Sequence, residues 1–233
     1  MFTVALVGAD GAGKTTIARR LENSSALPIK YMYMGVSPIA SNYALPTTRA
    51  IAALKRMMGQ NPDMAGPPDP TRKKAPPRNP VKRALKSVKS SAQLANRVAE
   101  QWYRQLLAWY FQRRGYIVLF DRHFFADYYA HDVAVDGEKR SAFSRLHGYL
   151  LNHVYPKPQL IIFLDAPASV LLERKGEGTL ELLEHRRQEY LQLQGQVAHF
   201  ARVDAARPLE DVEREVVELL WEFKESRKPQ RVS

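Results

Sequence analysis

A glycine-rich stretch near the start of the chain has the residue types and spacing of a phosphate-binding loop. Residues 8–15 match the pattern G-x-x-x-x-G-K-[ST], and a second threonine follows. Glycines let successive backbone N–H groups point at phosphate oxygens without a side-chain clash. The lysine of such a loop reaches the β- and γ-phosphates, and the hydroxyl of the next residue holds Mg²⁺. We therefore expect a nucleotide-binding segment made of Gly8, Ala9, Asp10, Gly11, Ala12, Gly13, Lys14, Thr15 and Thr16.

Two further charged residues, Asp121 and Arg122, come directly after an apolar run at 116–120. Open parallel sheets bind their ligands at the carboxyl ends of the strands, so this position favours a functional pair over a surface ion pair. Asp10 lies within the glycine-rich loop, where it could be a general base, could assist Mg²⁺, or could serve only as a turn residue. If the acceptor is a hydroxyl, Asp121 or Asp10 is the residue expected to take its proton.

The elements that would position these residues alternate along the chain. Apolar and β-branched runs predict strands at 2–7, 29–34, 116–120, 160–164 and 201–204. Helical periodicity predicts helices beginning at 15 and spanning 93–113, 141–154, 180–200 and 209–224. Such alternation predicts an α/β fold in which helices cover both faces of a parallel sheet. A chain of 233 residues suits a single domain, 1–233, with this architecture.

The stretch 59–90 interrupts the alternation as a proline-rich and basic insertion. Residues 59–80 contain seven of the chain's fifteen prolines, which predicts an extended or locally disordered loop. Residues 71–90 contain eight basic and no acidic residues, so most of the net charge of +11 belongs to this stretch. It could be a solvated arm, could attract an anionic acceptor or membrane surface, or could bind nucleic acid. Because it has no aromatic residue, single-stranded nucleic acid is the weaker alternative.

The composition limits location and chemistry. The chain has no cysteine, which excludes disulfides and thiolate chemistry. No apolar run approaches the roughly 18–20 residues that cross a bilayer. The apolar run at 2–7 leads straight into the glycine-rich loop, and we interpret it as a buried strand rather than a signal peptide. We therefore expect a cytoplasmic protein without a transmembrane segment.

Four stretches together resemble the thymidylate kinase-like branch of the P-loop nucleoside-phosphate kinases. The first is residues 8–16, and the second is Asp-Arg-His at 121–123. The third joins Phe-Leu-Asp-Ala-Pro at 163–167 to Leu-Leu-Glu-Arg at 171–174. The fourth joins Arg-Gln-Glu-Tyr-Leu at 187–191 to Val-Asp-Ala-Ala-Arg-Pro-Leu at 203–209. The resemblance implies a three-layer P-loop NTPase fold with strand order 2-3-1-4-5, and it makes a homodimer possible.

The same resemblance implies an activity and residues that carry it. The implied enzyme is a kinase that moves the γ-phosphate of ATP, with Mg²⁺, to a small acceptor such as dTMP or a related nucleoside monophosphate. Arg122 would contact the transferring or acceptor phosphate, and Asp121 would lie near Mg²⁺ or the acceptor. Arg174 and Arg187 would belong to a short lid at 174–187 that closes on ATP. Together with Lys14 and Asp10, these residues form the expected catalytic set.

The sequence departs from the family where the acceptor is held. The family has Arg-Glu-Pro-Gly-Gly after its second strand, whereas residues 33–38 read Tyr-Met-Gly-Val-Ser-Pro. The arginine that the family places in its long helix, 21 residues before the Asp-Arg pair, is replaced by Glu100. Arg49, Arg97 or Arg104 could substitute for the missing arginines. The departure leaves open a kinase acting on a hydroxyl of a nucleoside, sugar or other small metabolite, or a nucleotide-dependent nucleic-acid-binding module without phosphotransfer.

Aromatic and histidine side chains follow Arg122. Phe125 and Tyr128 could stack on the base or sugar of an acceptor, and core packing is the equal alternative. His123 and His131, with Asp127 and Asp132, do not have the spacing of a common transition-metal site. We expect these histidines to be packed or solvated.

Overall fold

The backbone is described for residues 1–24, 26–35, 37, 40–60, 80–134, 142–176 and 178–227 of a computed structural model. Side chains are described for the same residues except 24, 80–90 and 142–143. The predicted loop at 59–80 therefore falls almost entirely outside the described residues. In the basic stretch 71–90 the backbone is described only for 80–90 and no side chain is described, so its three interpretations stay hypotheses. No helix in the described ranges combines the length and the apolarity that a membrane span requires.

Five parallel strands form one sheet in the order β2-β3-β1-β4-β5. They are β1 (Thr3–Val7), β2 (Ile29–Tyr33), β3 (Ile117–Asp121), β4 (Leu160–Asp165) and β5 (Phe200–Asp204). The central strand β1 pairs with β3 and β4, with Leu6 opposite Asp121 and Val7 opposite Phe163. The glycine-rich loop that follows β1 therefore lies at the carboxyl edge of the sheet, between the ends of two neighbouring strands. The predicted parallel sheet and its strand order are confirmed.

Eight α-helices are present in the described residues. They are α1 (Lys14–Ser24), α2 (Pro46–Met57), α3 (Pro80–Arg113), α4 (Phe124–Tyr128), α5 (Ala142–Tyr149), α6 (Ala168–Lys175), α7 (Leu180–Leu191) and α8 (Leu209–Ser226). A π-helical turn extends α4 over Tyr129–Val133, and another extends α5 over Leu150–Val154.

Two helix boundaries differ from the prediction. Helix α3 begins at Pro80 rather than at residue 93, because proline is well suited to the first helical position, where its missing N–H is not needed. Helix α7 ends at Leu191 rather than at residue 200, and the chain turns through Gly195 before β5 begins at Phe200. The predicted continuation to 200 was therefore wrong.

The core lies on both faces of the sheet because side chains alternate along each strand. Val4 and Leu6 of β1 pack in one buried cluster, which includes residues of α1 and α8. Ala5 and Val7 point the other way, into a second cluster that contains Ala108 of α3 and residues of α4. Helices therefore cover both faces, which leaves the carboxyl edge of the sheet as the place where loops meet.

Candidate functional site

The glycine-rich loop 8–15 is packed against the sheet on one side and open on the other. A Cβ atom at Gly8, whose φ is 151°, would lie 2.5 Å from the carbonyl oxygen of Leu164, so only glycine fits beside β4. At Gly13, whose φ is 85°, a Cβ would meet no atom within 4 Å. The loop runs directly into α1 at Lys14, so the positive end of the helix dipole faces the open side. This space and this field suit a phosphate group.

Lys14 is held inside the loop by the backbone. Its Nζ donates hydrogen bonds to the carbonyl oxygens of Gly8 and Ala9, both at 2.8 Å. Burial, and next the charge of Arg122, lower the pKa of Lys14 to about 8, although Asp10, Asp121 and Asp127 act in the opposite direction. The ammonium group is therefore mainly charged at neutral pH and fixed beside the open side of the loop.

Thr15 and Asp121 form a pair of oxygen donors at the base of the loop. The hydroxyl of Thr15 donates to Oδ2 of Asp121 at 2.6 Å, and the Tyr31 hydroxyl donates to the same oxygen at 3.2 Å. The other oxygen, Oδ1, is buried and has no hydrogen-bond partner among the described residues. Such an oxygen next to a hydroxyl fits Mg²⁺, which takes one or two protein oxygens, water and phosphate oxygens as ligands. These two residues therefore fit the predicted magnesium site.

The transition-metal alternative receives no support. No group of three or more His, Cys, Asp or Glu side chains that could hold a metal occurs in the part of the chain that the structure describes. His123 is buried at the N-terminus of α4, where its Nδ1 accepts a hydrogen bond from the backbone N–H of Phe125 at 3.2 Å. Burial lowers the pKa of His123 to about 3, so it is neutral. His123 is thus a packed histidine, as expected.

A cavity of about 270 Å³ opens beside the loop. Three elements line it: the glycine-rich loop, the chain after β3, and the segment from 178 through α7. Small-molecule sites usually have at least about 300 Å³, so this cavity has room for reacting groups rather than for a whole nucleotide and its acceptor. Its lining residues are Ala9, Asp10, Arg122, Asp127, Gly178, Leu182, Leu183, Arg186 and Tyr190.

Arg122 and Asp10 face each other in this cavity. Arg122 has a φ of 66°, a left-handed conformation that is uncommon outside glycine and is often found at functional sites. Its guanidinium donates to Oδ1 of Asp10, and Nζ of Lys175 lies 3.9 Å from the other oxygen. Burial works against ionisation of Asp10, but Arg122, Lys14 and Lys175 together lower its pKa to about 2. Asp10 is therefore a firmly ionised and weakly basic carboxylate.

Asp127, on α4, lies in the same cavity but in a different environment. It is 7% exposed, and its Oδ1 accepts a hydrogen bond from the Tyr190 hydroxyl at 3.1 Å. Its Oδ2 has no partner among the described residues. Burial raises the pKa of Asp127, in spite of Arg122, the Tyr190 hydrogen bond, Lys14 and Arg186. Sequence reasoning considered Asp127 only as a metal ligand and did not place it at this site.

The two lid arginines lie outside the cavity. Arg174 donates to the carbonyl oxygens of Ala205 and Ala206, at 2.7 and 3.3 Å, and so ties α6 to the turn after β5. Arg187 forms two hydrogen bonds with Asp165 at the end of β4, at 2.5 and 3.0 Å. Their predicted closure on ATP stays a prediction. The arginine of α7 that does line the cavity is Arg186, which sequence reasoning missed.

Arg104 is built into the protein interior. It is 1% exposed, and its Nε and Nη2 donate to Glu100 at 2.8 and 2.5 Å. Its Nη1 donates to the carbonyl oxygens of Tyr33 and Gly35, at 3.3 and 2.8 Å. The second oxygen of Glu100 accepts from the backbone of Leu45 and from the hydroxyl of Thr48, at 2.9 and 2.8 Å. The Glu100–Arg104 pair therefore holds the connection between β2 and α2 onto α3.

The other acceptor candidates also contact protein groups. The guanidinium of Arg97 lies over the ring of Tyr128, 4.8 Å from its centre. Arg49 donates to the carbonyl oxygen of Asn42 at 3.1 Å. Phe125 and Tyr128 are buried in the core cluster on the α3 side of the sheet. Their predicted contact with an acceptor stays a prediction, while core packing is what the structure shows for both rings.

No family model and no curated protein matches the chain. The likeness to thymidylate kinases therefore rests on the sequence motifs.

Proposed function

We propose that this protein is a Mg-ATP-dependent phosphotransferase of the P-loop NTPase fold that moves the γ-phosphate of ATP to a small acceptor. The observation that supports this most strongly is the joint arrangement at the carboxyl edge of the sheet. A buried lysine, Lys14, is fixed in an open loop at a helix N-terminus, next to the Thr15–Asp121 pair with its unpartnered oxygen. The loop opens onto a cavity that contains Arg122.

Each of these residues has a task in such a reaction. Phosphoryl transfer needs little covalent chemistry from the protein, so positioning and positive charge supply most of the acceleration. Lys14 and the N–H groups at the start of α1 bind phosphate oxygens, and Arg122 stabilises the charge that develops during transfer. When bound at Thr15 and Asp121, Mg²⁺ supplies further neutralising charge to the phosphates. Leu183 of α7 is buried and lines the cavity, where it helps to exclude water that would hydrolyse ATP.

Two acceptor classes are candidates. The family resemblance favours dTMP or a related nucleoside monophosphate. A specific observation favours the second class, a hydroxyl-bearing metabolite: Arg49, Arg97 and Arg104 all contact protein groups, and Arg104 is enclosed. None of them lines the cavity that contains Arg122.

The test is γ-phosphate transfer from ATP with Mg²⁺, measured with dTMP, other nucleoside monophosphates, nucleosides and sugars. The wild type is expected to phosphorylate at least one acceptor class. Lys14→Ala is expected to reduce transfer by about 10³-fold, the scale of losing a charge-stabilising donor. Lys224→Ala, at the far end of α8, is the matched control and is expected to keep full activity. Equal rates in Lys14→Ala and wild type would refute the proposal.

A further inference from the structure

Asp127 lacks a hydrogen-bond donor at one oxygen. Oδ1 is occupied by the Tyr190 hydroxyl, whereas Oδ2 is buried and unpartnered within the described residues. A buried carboxylate oxygen without a donor is costly, by about 1–3 kcal/mol or more, so native proteins usually satisfy such atoms. Because Asp127 lines the cavity beside Arg122, a ligand in that cavity is well placed to supply the donor.

The chemistry of the missing donor separates the two acceptor classes. A hydroxyl group donates a hydrogen bond, and a phosphate that is fully ionised can only accept. An acceptor phosphate would also add a further negative charge beside Asp127, Asp10 and the γ-phosphate of ATP. Arg186 is paired with Glu189 at 3.1 Å, and Arg122, which contacts Asp10, is the arginine assigned to the transferring phosphate, so neither is left for an acceptor phosphate. The cavity is thus complementary to a neutral hydroxyl rather than to a second phosphate.

We propose that the acceptor of this kinase is a hydroxyl group and that Asp127 is the general base that takes its proton; this rests on the proposed phosphotransferase function. The two cavity carboxylates have opposite properties. Three cations make Asp10 a weak base, whereas burial makes Asp127 a stronger one. When their environments drive the pKa values of two carboxyl groups apart in this way, the two groups commonly take different acid–base roles in a site.

The step is balanced without any further reactant. The hydroxyl oxygen of the acceptor forms a bond to the γ-phosphorus of ATP while its proton passes to Oδ2 of Asp127. The bond between the γ-phosphorus and the β,γ-bridging oxygen breaks, and its electrons stay with ADP. The proton leaves Asp127 for solvent after the phosphorylated product dissociates. The products are a phosphate monoester, ADP and one proton.

The acceptor class can be tested without knowing the acceptor. A deproteinised small-molecule cell extract is divided, and one half is treated with immobilised phosphatase, which is then removed. Both halves receive γ-labelled ATP, Mg²⁺ and the intact protein. Transfer to an organic product is expected to persist in the treated half, where monophosphates have become hydroxyl compounds. Loss of transfer after treatment would overturn the hydroxyl proposal and leave the kinase function standing, whereas no transfer in either half would overturn the kinase function itself.

The role of Asp127 is tested by substitution. Asp127→Asn is expected to lower transfer to the hydroxyl acceptor by about 10²-fold or more, the usual scale of general-base catalysis. ATP binding and the unfolding midpoint are expected to change little, as in Asp211→Asn, a surface control on α8 that keeps full activity. An Asp127→Asn protein that folds, binds ATP and transfers at the wild-type rate would overturn the proposal.

A second variant covers the case in which Asp127→Asn does not fold. Tyr190→Phe removes the hydrogen bond that lowers the pKa of Asp127, and it leaves the other groups that act on this carboxylate, Arg122, Lys14 and Arg186, in place. The acidic limb of the pH–rate profile is therefore expected to move to higher pH. An acidic limb that is unchanged in Tyr190→Phe would contradict the assignment, because a purely structural role of Asp127 would not shift it.

Discussion

The nucleotide side and the acceptor side of this molecule are completed in different ways. On the nucleotide side, residues 8–15 with Asp121, the structure contains open space at Gly13 and an unpartnered oxygen on Asp121. The acceptor side is here the region where the resembling family holds its acceptor, namely the connection from β2 to α2 with Glu100 and Arg104. Both oxygens of Glu100 and all three guanidinium nitrogens of Arg104 have partners there. The first region is complete only with a ligand, and the second is complete without one.

This difference separates the charged residues that can bind a ligand from those that hold the structure together. A cation facing unpartnered oxygens and open space is available to a ligand, whereas a cation whose nitrogens all have protein partners serves to hold the chain. The effects of substitutions should therefore differ between the two regions. Changes on the acceptor side should reduce stability, and changes on the nucleotide side should reduce binding.

The largest effect is expected on the acceptor side, from Arg104→Met. Removing one partner of a buried ion pair leaves an uncompensated charge, which typically costs about 3–5 kcal/mol of the free energy of unfolding. The carbonyl oxygens of Tyr33 and Gly35 would lose their donor as well. Urea unfolding measures the loss, and Arg113→Met, exposed on the same helix, is expected to stay within about 0.5 kcal/mol of wild type. A loss below about 1 kcal/mol for Arg104→Met would show that the Glu100–Arg104 pair does not stabilise the fold.

The next effect, from Gly13→Ala, separates the cost of backbone strain from the loss of ligand binding on the nucleotide side. Gly13 and Gly115 have φ values of 85° and 91°, and a Cβ at either would meet no atom within 4 Å. Alanine at each should cost about 1–2 kcal/mol of stability from the left-handed backbone alone. Only Gly13→Ala should weaken Mg-ATP binding, by about tenfold or more, because its methyl group enters the space reserved for phosphate. Calorimetric titration with ATP measures this, and equal affinities in the two variants would show that the space at Gly13 is not a phosphate site.

A third effect concerns the pH dependence of stability and His123. Its folded pKa of about 3 lies below the ordinary value of 6.5, so folding favours the neutral ring. This stability is present above pH 6.5 and is lost as the pH falls toward 3, by at most about 1.4 kcal/mol for each pH unit. Asp127, whose pKa is raised, contributes in the opposite sense, so a variant is needed to isolate the histidine.

His123→Asn keeps a side chain that can accept the N-cap hydrogen bond and removes the titration. Its stability is expected to fall less than that of wild type between about pH 7 and about pH 5. Urea unfolding at both pH values provides the measurement. Parallel losses in the two proteins would show that the ring titrates normally and is not enclosed.

The sequence allowed the nucleotide side to be predicted because its residues are contiguous. Lys14 and Thr15 follow from one motif, and Asp121 follows from its place at a strand end. The sheet order came from resemblance to a known family. The alternation of apolar runs was enough to locate five strands, although it did not show where α3 begins or α7 ends.

The remaining site residues come from tertiary packing that no local pattern encodes. Asp127 lies on α4, a helix of five residues, which is too short for periodicity to reveal. On α7, Leu183 and Tyr190 face inward, and both Arg186 and Arg187 lie on that side of the helix, so spacing could not show which arginine reaches the cavity. The partners of Arg104 on the β2–α2 connection, Tyr33 and Gly35, are about 70 residues away in sequence, and only the folded chain brings them together.

Phosphotransfer by this protein can be measured by following the γ-phosphate of ATP through one turnover. Excess protein is mixed with γ-labelled ATP, Mg²⁺ and the deproteinised extract, and ADP, inorganic phosphate and labelled organic product are quantified together. ADP and a labelled phosphate monoester are expected to form in equal amounts, with little inorganic phosphate, and Lys14→Ala is expected to form both about 10³-fold more slowly. Release of the label only as inorganic phosphate, or ATP that stays intact, would contradict it.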